Sequence, residues 1–242
     1  LLLVANLLAS AGAAAVNPVS GAAPMPMPAP APSSHARAET LWIFDADFED
    51  LAGDNAAWLG LDRSGTPGRE NFWHKDTLFT DAYPSLGESA WWCGVVDGCY
   101  VQGRGYGNNW ICHLERDFPL ADWTEEGADA VELQFDHRYA IEKDYDYGYV
   151  DVSTDGGSNW TTKAVYSNTG FMSPGWPVDW HTEAIDMSEF SGADVRLRFR
   201  FESDGSYSSE DQPDNPDHSV KDGAWQLDNL AWNVLSGVWA TV

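Results

Sequence analysis

The sequence predicts an all-β protein, a sandwich of two antiparallel sheets, and three observations predict it. In "AVELQFDHRYA", Val131, Leu133, Phe135, His137 and Tyr139 alternate with Glu132, Gln134, Asp136 and Arg138, the period-two pattern of a strand with one buried face. "DVRLRFRFES" repeats it, with Val195, Leu197, Phe199 and Phe201 on one face and Arg196, Arg198, Arg200 and Glu202 on the other. Clusters of Gly, Pro, Asn and Asp separate such runs, and no stretch keeps a helical repeat beyond a turn or two.

The chain opens "LLLVANLLASAGAAAV", an apolar run followed by Ala-x-Ala spacings at Ala11 to Ala13 and Ala13 to Ala15. Residues 1–15 therefore read as the remnant of a secretory signal peptide that has lost its first residues. Nothing in the chain approaches the roughly 20 apolar residues of a membrane helix, so a secreted or cell-surface protein with no transmembrane segment is expected. Residues 16–40 are dominated by Pro, Ala and Ser and read as an extended linker. The folded domain is expected over residues 41–235, and residues 236–242 as the start of a further linker or continuation. Besides the two alternating runs, strands are expected at Leu41–Glu49, Ser89–Gly94, Asn109–Leu114, Tyr147–Ser153, Thr161–Tyr166, His181–Ile185 and Ala224–Asn233. His137 lies on an inward face and is expected to be a packed core histidine. The three arginines of 196–200 are expected to pair with acids on neighbouring strands rather than to clamp a ligand.

Charge narrows the partners. The 242 residues carry 13 Lys plus Arg against 38 Asp plus Glu, a formal net charge of -25, which repels nucleic acid and anionic membranes. Cations, neutral glycans and other extracellular proteins remain. Three cysteines, Cys93, Cys99 and Cys112, allow one bridge and one spare thiol in an oxidising compartment, and the sequence does not choose the pair. With His113 as a fourth partner their spacing fits no standard zinc pattern.

"STDGGSNW" matches the Asp-box pattern Ser-x-Asp-x-Gly-x-x-Trp through Ser153, Asp155, Gly157 and Trp160. It lies between two expected strands, and Asp-Gly-Gly is turn chemistry, so its expected role is a β-hairpin. No His-Glu-x-x-His, Gly-x-Ser-x-Gly or phosphate-cradling loop occurs, "GRGYGNN" reads as a loop, and no catalytic residue is assigned.

Acidic side chains gather in two places. "FDADFED" offers Asp45, Asp47, Glu49 and Asp50 at the first strand, and "WQLDNLAW" places Asp228 in the last. Calcium takes six to eight oxygens, and a site joining these strands would close the domain at its termini. The loop "ESDGSYSSEDQPDNPDHSVKDG", with Asp204, Glu210, Asp211, Asp214, Asp217 and Asp222, is either a second cation site or a disordered surface loop.

In order, "DFED", "SAWWCG", "GYGNNW", "YDYGYVDVSTDGGSNW", "AIDMSEFSGADVRLRFRFESD" and "DGAWQLDNLAW" resemble the MAM-like jelly-roll modules of secreted bacterial proteins, over roughly Leu41 to Leu235. Such modules accompany immune-inhibitor-A-type metallopeptidases and anchored surface proteins. The resemblance implies a two-sheet jelly roll, calcium near the junction of the terminal strands, and adhesion or glycan contact. Carried over by position, Glu49 and Asp228 match the usual acidic ligands, with Asp45, Asp47 and Asp97 completing the candidate set. The peptidase's zinc motif has no counterpart here.

The leading expectation is a noncatalytic, calcium-stabilised binding or adhesion module. Thirteen tryptophans either fill the core or stack on sugars, and Trp91, Trp92, Trp176 and Trp180 are the candidate ligand contacts. The rivals are an accessory domain of a secreted hydrolase, peptidase or glycosidase, and a structural surface-assembly subunit.

Overall fold

The alternating run at 130–139 becomes a strand whose Val131, Leu133, Phe135, His137 and Tyr139 are buried while the intervening side chains stay partly exposed. The computed structural model describes residues 39–49, 57–65, 72–77, 87, 89–100, 103–124, 130–167, 178–210 and 223–236. These lie in one unit, Ala36–Val242. The expected signal peptide and most of the linker fall outside the described residues.

In chain order the strands are β1 (Glu39–Ala46), β2 (Leu59–Asp62), β3 (Trp73–Asp76), β4 (Ala90–Cys93), β5 (Val95–Tyr100), β6 (Gly103–Gly105), β7 (Ile111–Phe118), β8 (Ala130–Tyr139), β9 (Tyr147–Ser153), β10 (Thr161–Tyr166), β11 (Val178–Asp186), β12 (Val195–Glu202) and β13 (Trp225–Ser236). A single helical turn, α1 (Leu120–Trp123), follows β7. Sheet one has the order β11-β8-β13-β4-β3, with β1 also on β13, and sheet two the order β10-β9-β12-β7-β2. All the pairings are antiparallel, so the fold is the expected two-sheet jelly-roll sandwich. β5 and β6 form a separate hairpin, so part of "GRGYGNN" is strand rather than loop.

Aromatic rings join the sheets. Phe135 of β8 meets Phe199 of β12 at 5.2 Å, Phe199 meets Trp225 of β13 at 5.6 Å, and Phe118 of β7 meets Trp232 of β13 at 5.5 Å. Such pairs add about 0.5–1.5 kcal/mol each beyond the area they bury. Gly148 of β9 admits the Trp225 ring, because a Cβ there would lie 2.9 Å from it.

On the outer face of sheet two the arginines pair as expected. Arg196 reaches Asp117 at 2.6 Å, and Arg198 and Arg200 both reach Asp151 at 2.8 Å. The 153–160 hairpin is held by its own hydrogen bonds. Gly157 N–H donates to Ser153 Oγ, Asn159 N–H donates to Asp155 Oδ1 at 2.8 Å, and Trp160 Nε1 donates to the Gly157 carbonyl at 3.0 Å. Its residues serve the turn.

Candidate functional site

β13 changes neighbour along its length, and the change opens a site. On one side it pairs with β8 throughout; on the other, Trp225–Leu227 pair with β4 and Leu230–Ser236 with β1. The β8 register shifts between Asp228 and Ala231, a bulge in which Asn229 takes a φ of 47°. Asp228 therefore sits in the gap between β4 and β1, directly opposite Asp136 of β8. Two carboxylates facing each other across a ladder repel unless something neutralises them.

The turn after β1 adds two more. Asp47 Oδ1 accepts the Glu49 N–H at 3.1 Å, with Phe48 between them at a φ of 56°. The segment before β4 clamps the turn: Ser89 N–H donates to Glu49 Oε1 at 2.9 Å and Ser89 Oγ donates to the Phe48 carbonyl at 3.0 Å. Gly87 has a φ of 69°, a left-handed conformation that favours glycine, and a Cβ there would press on the Glu49 side chain.

Asp228 is 0% exposed. Its Oδ1 accepts the Asn229 N–H at 2.8 Å, while its buried Oδ2 has no hydrogen-bond partner. Burial, and then the charges of Glu49, Asp136 and Asp47, push this carboxyl up to about 8 against the gain from Asn229. Asp136 is held from both sides, by Thr182 Oγ1 at 2.5 Å and Asn229 Nδ2 at 2.9 Å. The donor set is all oxygen, carries up to four negative charges and leaves one buried oxygen unsatisfied. That fits a hard cation such as calcium.

Of the residues expected at a metal site, Asp47 and Glu49 lie near enough for their charges to act on Asp228, although no three of these acids bring oxygens within 4.8 Å of one another. Asp45 is exposed on β1, and the Asp97 side chain lies outside the described residues. Asp136 was missed because it sits in the polar half of the β8 alternation, where an acid reads as solvated surface. Trp91 and Trp92, expected to contact ligand, instead lie in β4 and are buried, 9% and 0% exposed, because that strand is covered on both faces. Trp92 Nε1 is satisfied internally by the Gly223 carbonyl at 2.9 Å. Trp180 stands partly exposed on edge strand β11, and Trp176 lies outside the described residues.

Two further groups contain potential ligands. Glu142, Asp146 and Asp204 converge so that one oxygen of each lies within 4.8 Å of the others. Burial first, then neighbouring acids, raises Glu142 to about 7; burial also lifts Asp146 to about 6, although Tyr106, Asp204 and Glu142 donate to it. Glu142 therefore titrates near neutrality and Asp146 just below it. Of the acidic loop, Asp204 belongs to this cluster, Glu210 Oε2 accepts the Asn108 N–H at 3.0 Å, and residues 211–222 lie outside the described residues.

The second group is His137, His181 and Glu183. Here the hydrogen bonds decide against a metal. Trp225 Nε1 donates to His137 Nδ1 at 3.2 Å, so the His137 proton sits on Nε2, where it faces His181 Nε2 at 2.9 Å. His181 in turn donates from Nδ1 to the Asp179 carbonyl at 2.8 Å. The lone pair a metal would need on His137 Nε2 is occupied by that proton.

Together the fold and the acidic gap define a β-sandwich with a candidate cation site at its terminal junction. No protein-family model matches the chain. Over 127 residues, 52% of this chain, it is 36% identical to bacillopeptidase F of Bacillus subtilis, and that stretch is 8% of the relative's length. Among solved structures, the K1 cleaved adhesin domain of Lys-gingipain from Porphyromonas gingivalis covers 82% of this chain and 99% of its own at 14% identity, with a TM-score of 0.47. The CBM22-1 xylan-binding domain from Paenibacillus barcinonensis covers 84% and 100% at 12% identity and a TM-score of 0.40. TmCBM61, solved with β-1,4-galactotriose, covers 73% and 88% at 12% identity and a TM-score of 0.41. None of these scores supports an argument about this chain's ligand.

Proposed function

We propose that residues 41–235 form a noncatalytic module of an exported protein, stabilised by calcium and used to contact a glycan or another extracellular protein. The metal reading rests on one observation above all: the unsatisfied, fully buried Asp228 Oδ2 among the carboxylates of Asp47, Glu49 and Asp136. A divalent cation there removes the repulsion between the acids and ties the end of β1 to β8 and β13. Its role is therefore to close the sandwich at its termini.

The contact reading rests on the ring of Trp180, partly exposed at the β11 edge, with Trp176 four residues earlier in the sequence. A glycan array probed with the wild-type chain and with Trp180→Ala tests it; binding that survives the substitution unchanged removes Trp180 from the site. Calcium titration of the wild-type chain and of Asp228→Asn tests the metal.

The similarity to bacillopeptidase F favours a second reading of the same module, as an accessory domain of a secreted hydrolase. The aligned stretch is a small part, 8%, of a protein named as a peptidase. In that setting the module would position the larger enzyme on its substrate or surface.

A further inference from the structure

We infer that Cys93 and Cys112 form a disulfide that ties sheet one to sheet two in the oxidised protein. Cys93 belongs to β4 and Cys112 to β7, on opposite sides of the core, and both are 0% exposed. In the structure they are buried free thiols, near enough to each other for Cys112 to act on the Cys93 thiol.

The surroundings hold them in that position. Cys93 is flanked in its ladder by Trp73 and Trp225, and Cys112 by Asp62 and Phe201. Trp73 crosses between the sheets, its Nε1 donating to the Cys112 carbonyl at 3.4 Å. Each backbone is thus fixed by two neighbouring strands and the pair by an inter-sheet hydrogen bond. A close-packed core leaves neither side chain another place to go.

The sequence permits any two of three cysteines to pair, and the structure brings Cys93 and Cys112 near each other in the core. Cys99, on β5, is left as the third thiol. His113, the fourth partner a zinc site would need, follows Cys112 in β7 and so points to the opposite face, where its Nδ1 meets Glu115 Oε1 at 3.1 Å.

Burial, and then the contact with Cys112, pushes the Cys93 thiol well up, so the closed sandwich holds little reactive thiolate. The bridge therefore forms during folding, by exchange with a disulfide oxidant such as oxidised glutathione. One cysteine, its proton released to solvent, attacks a sulfur of the oxidant; the oxidant's S–S bond breaks and one glutathione thiolate leaves. The second cysteine thiolate attacks the protein sulfur of the mixed disulfide and expels the second glutathione. Two thiols are oxidised by two electrons, and one oxidised glutathione becomes two reduced molecules that take up the two protons.

The test is to refold the full chain from reducing denaturant, either with oxidised and reduced glutathione or with reductant alone. Free thiols are then alkylated in denaturant and the protein is digested without reduction for mass spectrometry. Oxidative refolding should give a peptide joining Cys93 to Cys112, with Cys99 alkylated, and a melting temperature about 6–12 °C above that of the reduced protein. Cys99→Ser should keep both the bridge and the shift, and Cys112→Ser should lose both. If Cys112→Ser does not fold, the peptide maps of the wild type and Cys99→Ser decide. Alkylation of both Cys93 and Cys112 after oxidative refolding, or a bridge containing Cys99, overturns the inference.

Discussion

The Nε2 atoms of His137 and His181 lie 2.9 Å apart, in a chain of hydrogen bonds that runs from Trp225 Nε1 to the Asp179 carbonyl. Tyr139 and Tyr166 pack on His137, and Glu183 Oε2 stands 4.0 Å from its Nε2. Burial first, and then His181, pushes His137 from 6.5 down to about 3.

A pH dependence follows from that pair. The folded protein keeps His137 neutral, whereas the unfolded chain takes up a proton near 6.5. The contribution is therefore complete above 6.5 and is lost as pH falls toward 3, at up to about 1.4 kcal/mol per pH unit. Urea denaturation from pH 7 to 4 should show this loss, and His137→Phe should have a flatter profile. Equal slopes for the two proteins would contradict it.

Asp151 carries the outer face of sheet two. Its side chain is 1% exposed, pairs with Arg198 and Arg200, and accepts Thr162 Oγ1 at 2.6 Å. The guanidiniums also stack on rings, Arg198 at 3.7 Å from Trp160 and Arg200 at 3.8 Å from Tyr149. Asp151→Ala leaves Arg198 without its acid and Arg200 with Glu202 alone, and should cost about 3–5 kcal/mol in urea denaturation. A cost under about 1 kcal/mol would place the network among weak surface pairs.

Glu142 and Asp146 work in the opposite sense to His137. Their folded values, about 7 and about 6, lie above the ordinary 4.5 and 3.8, so their contribution is present at low pH and is lost as pH rises to 7. Glutamine resembles the protonated acid. Glu142→Gln should match the wild type in stability at pH 5 and exceed it at pH 8; a variant less stable than the wild type at pH 8 would refute the assignment.

Much of the fold was legible because alternation needs only local sequence. β8 and β12 announce themselves, and Gly156 and Gly157 mark the hairpin between β9 and β10. β2 and β3 were not legible, because four residues such as "LGLD" or "WHKD" give too short a pattern. At the acidic site, Asp47, Glu49 and Asp228 stood out, but Asp136 became a partner only through the register opposite Asp228 and the bulge at Asn229. Trp91 and Trp92 misled for a related reason: adjacent tryptophans point to opposite faces, and only a strand covered on both sides buries both.

Calcium binding at the terminal junction is the central claim, and thermal melting in calcium against EDTA at pH 6 and pH 8.5 tests it most directly. Without a cation, Asp228 keeps its proton up to about 8, so the fold weakens as pH rises to that value. Calcium should therefore raise the melting temperature more at pH 8.5 than at pH 6, and Asp228→Asn should abolish the response while leaving the EDTA melt at pH 8.5 no lower than that of the wild type. Equal melts in calcium and EDTA at both pH values would contradict the account.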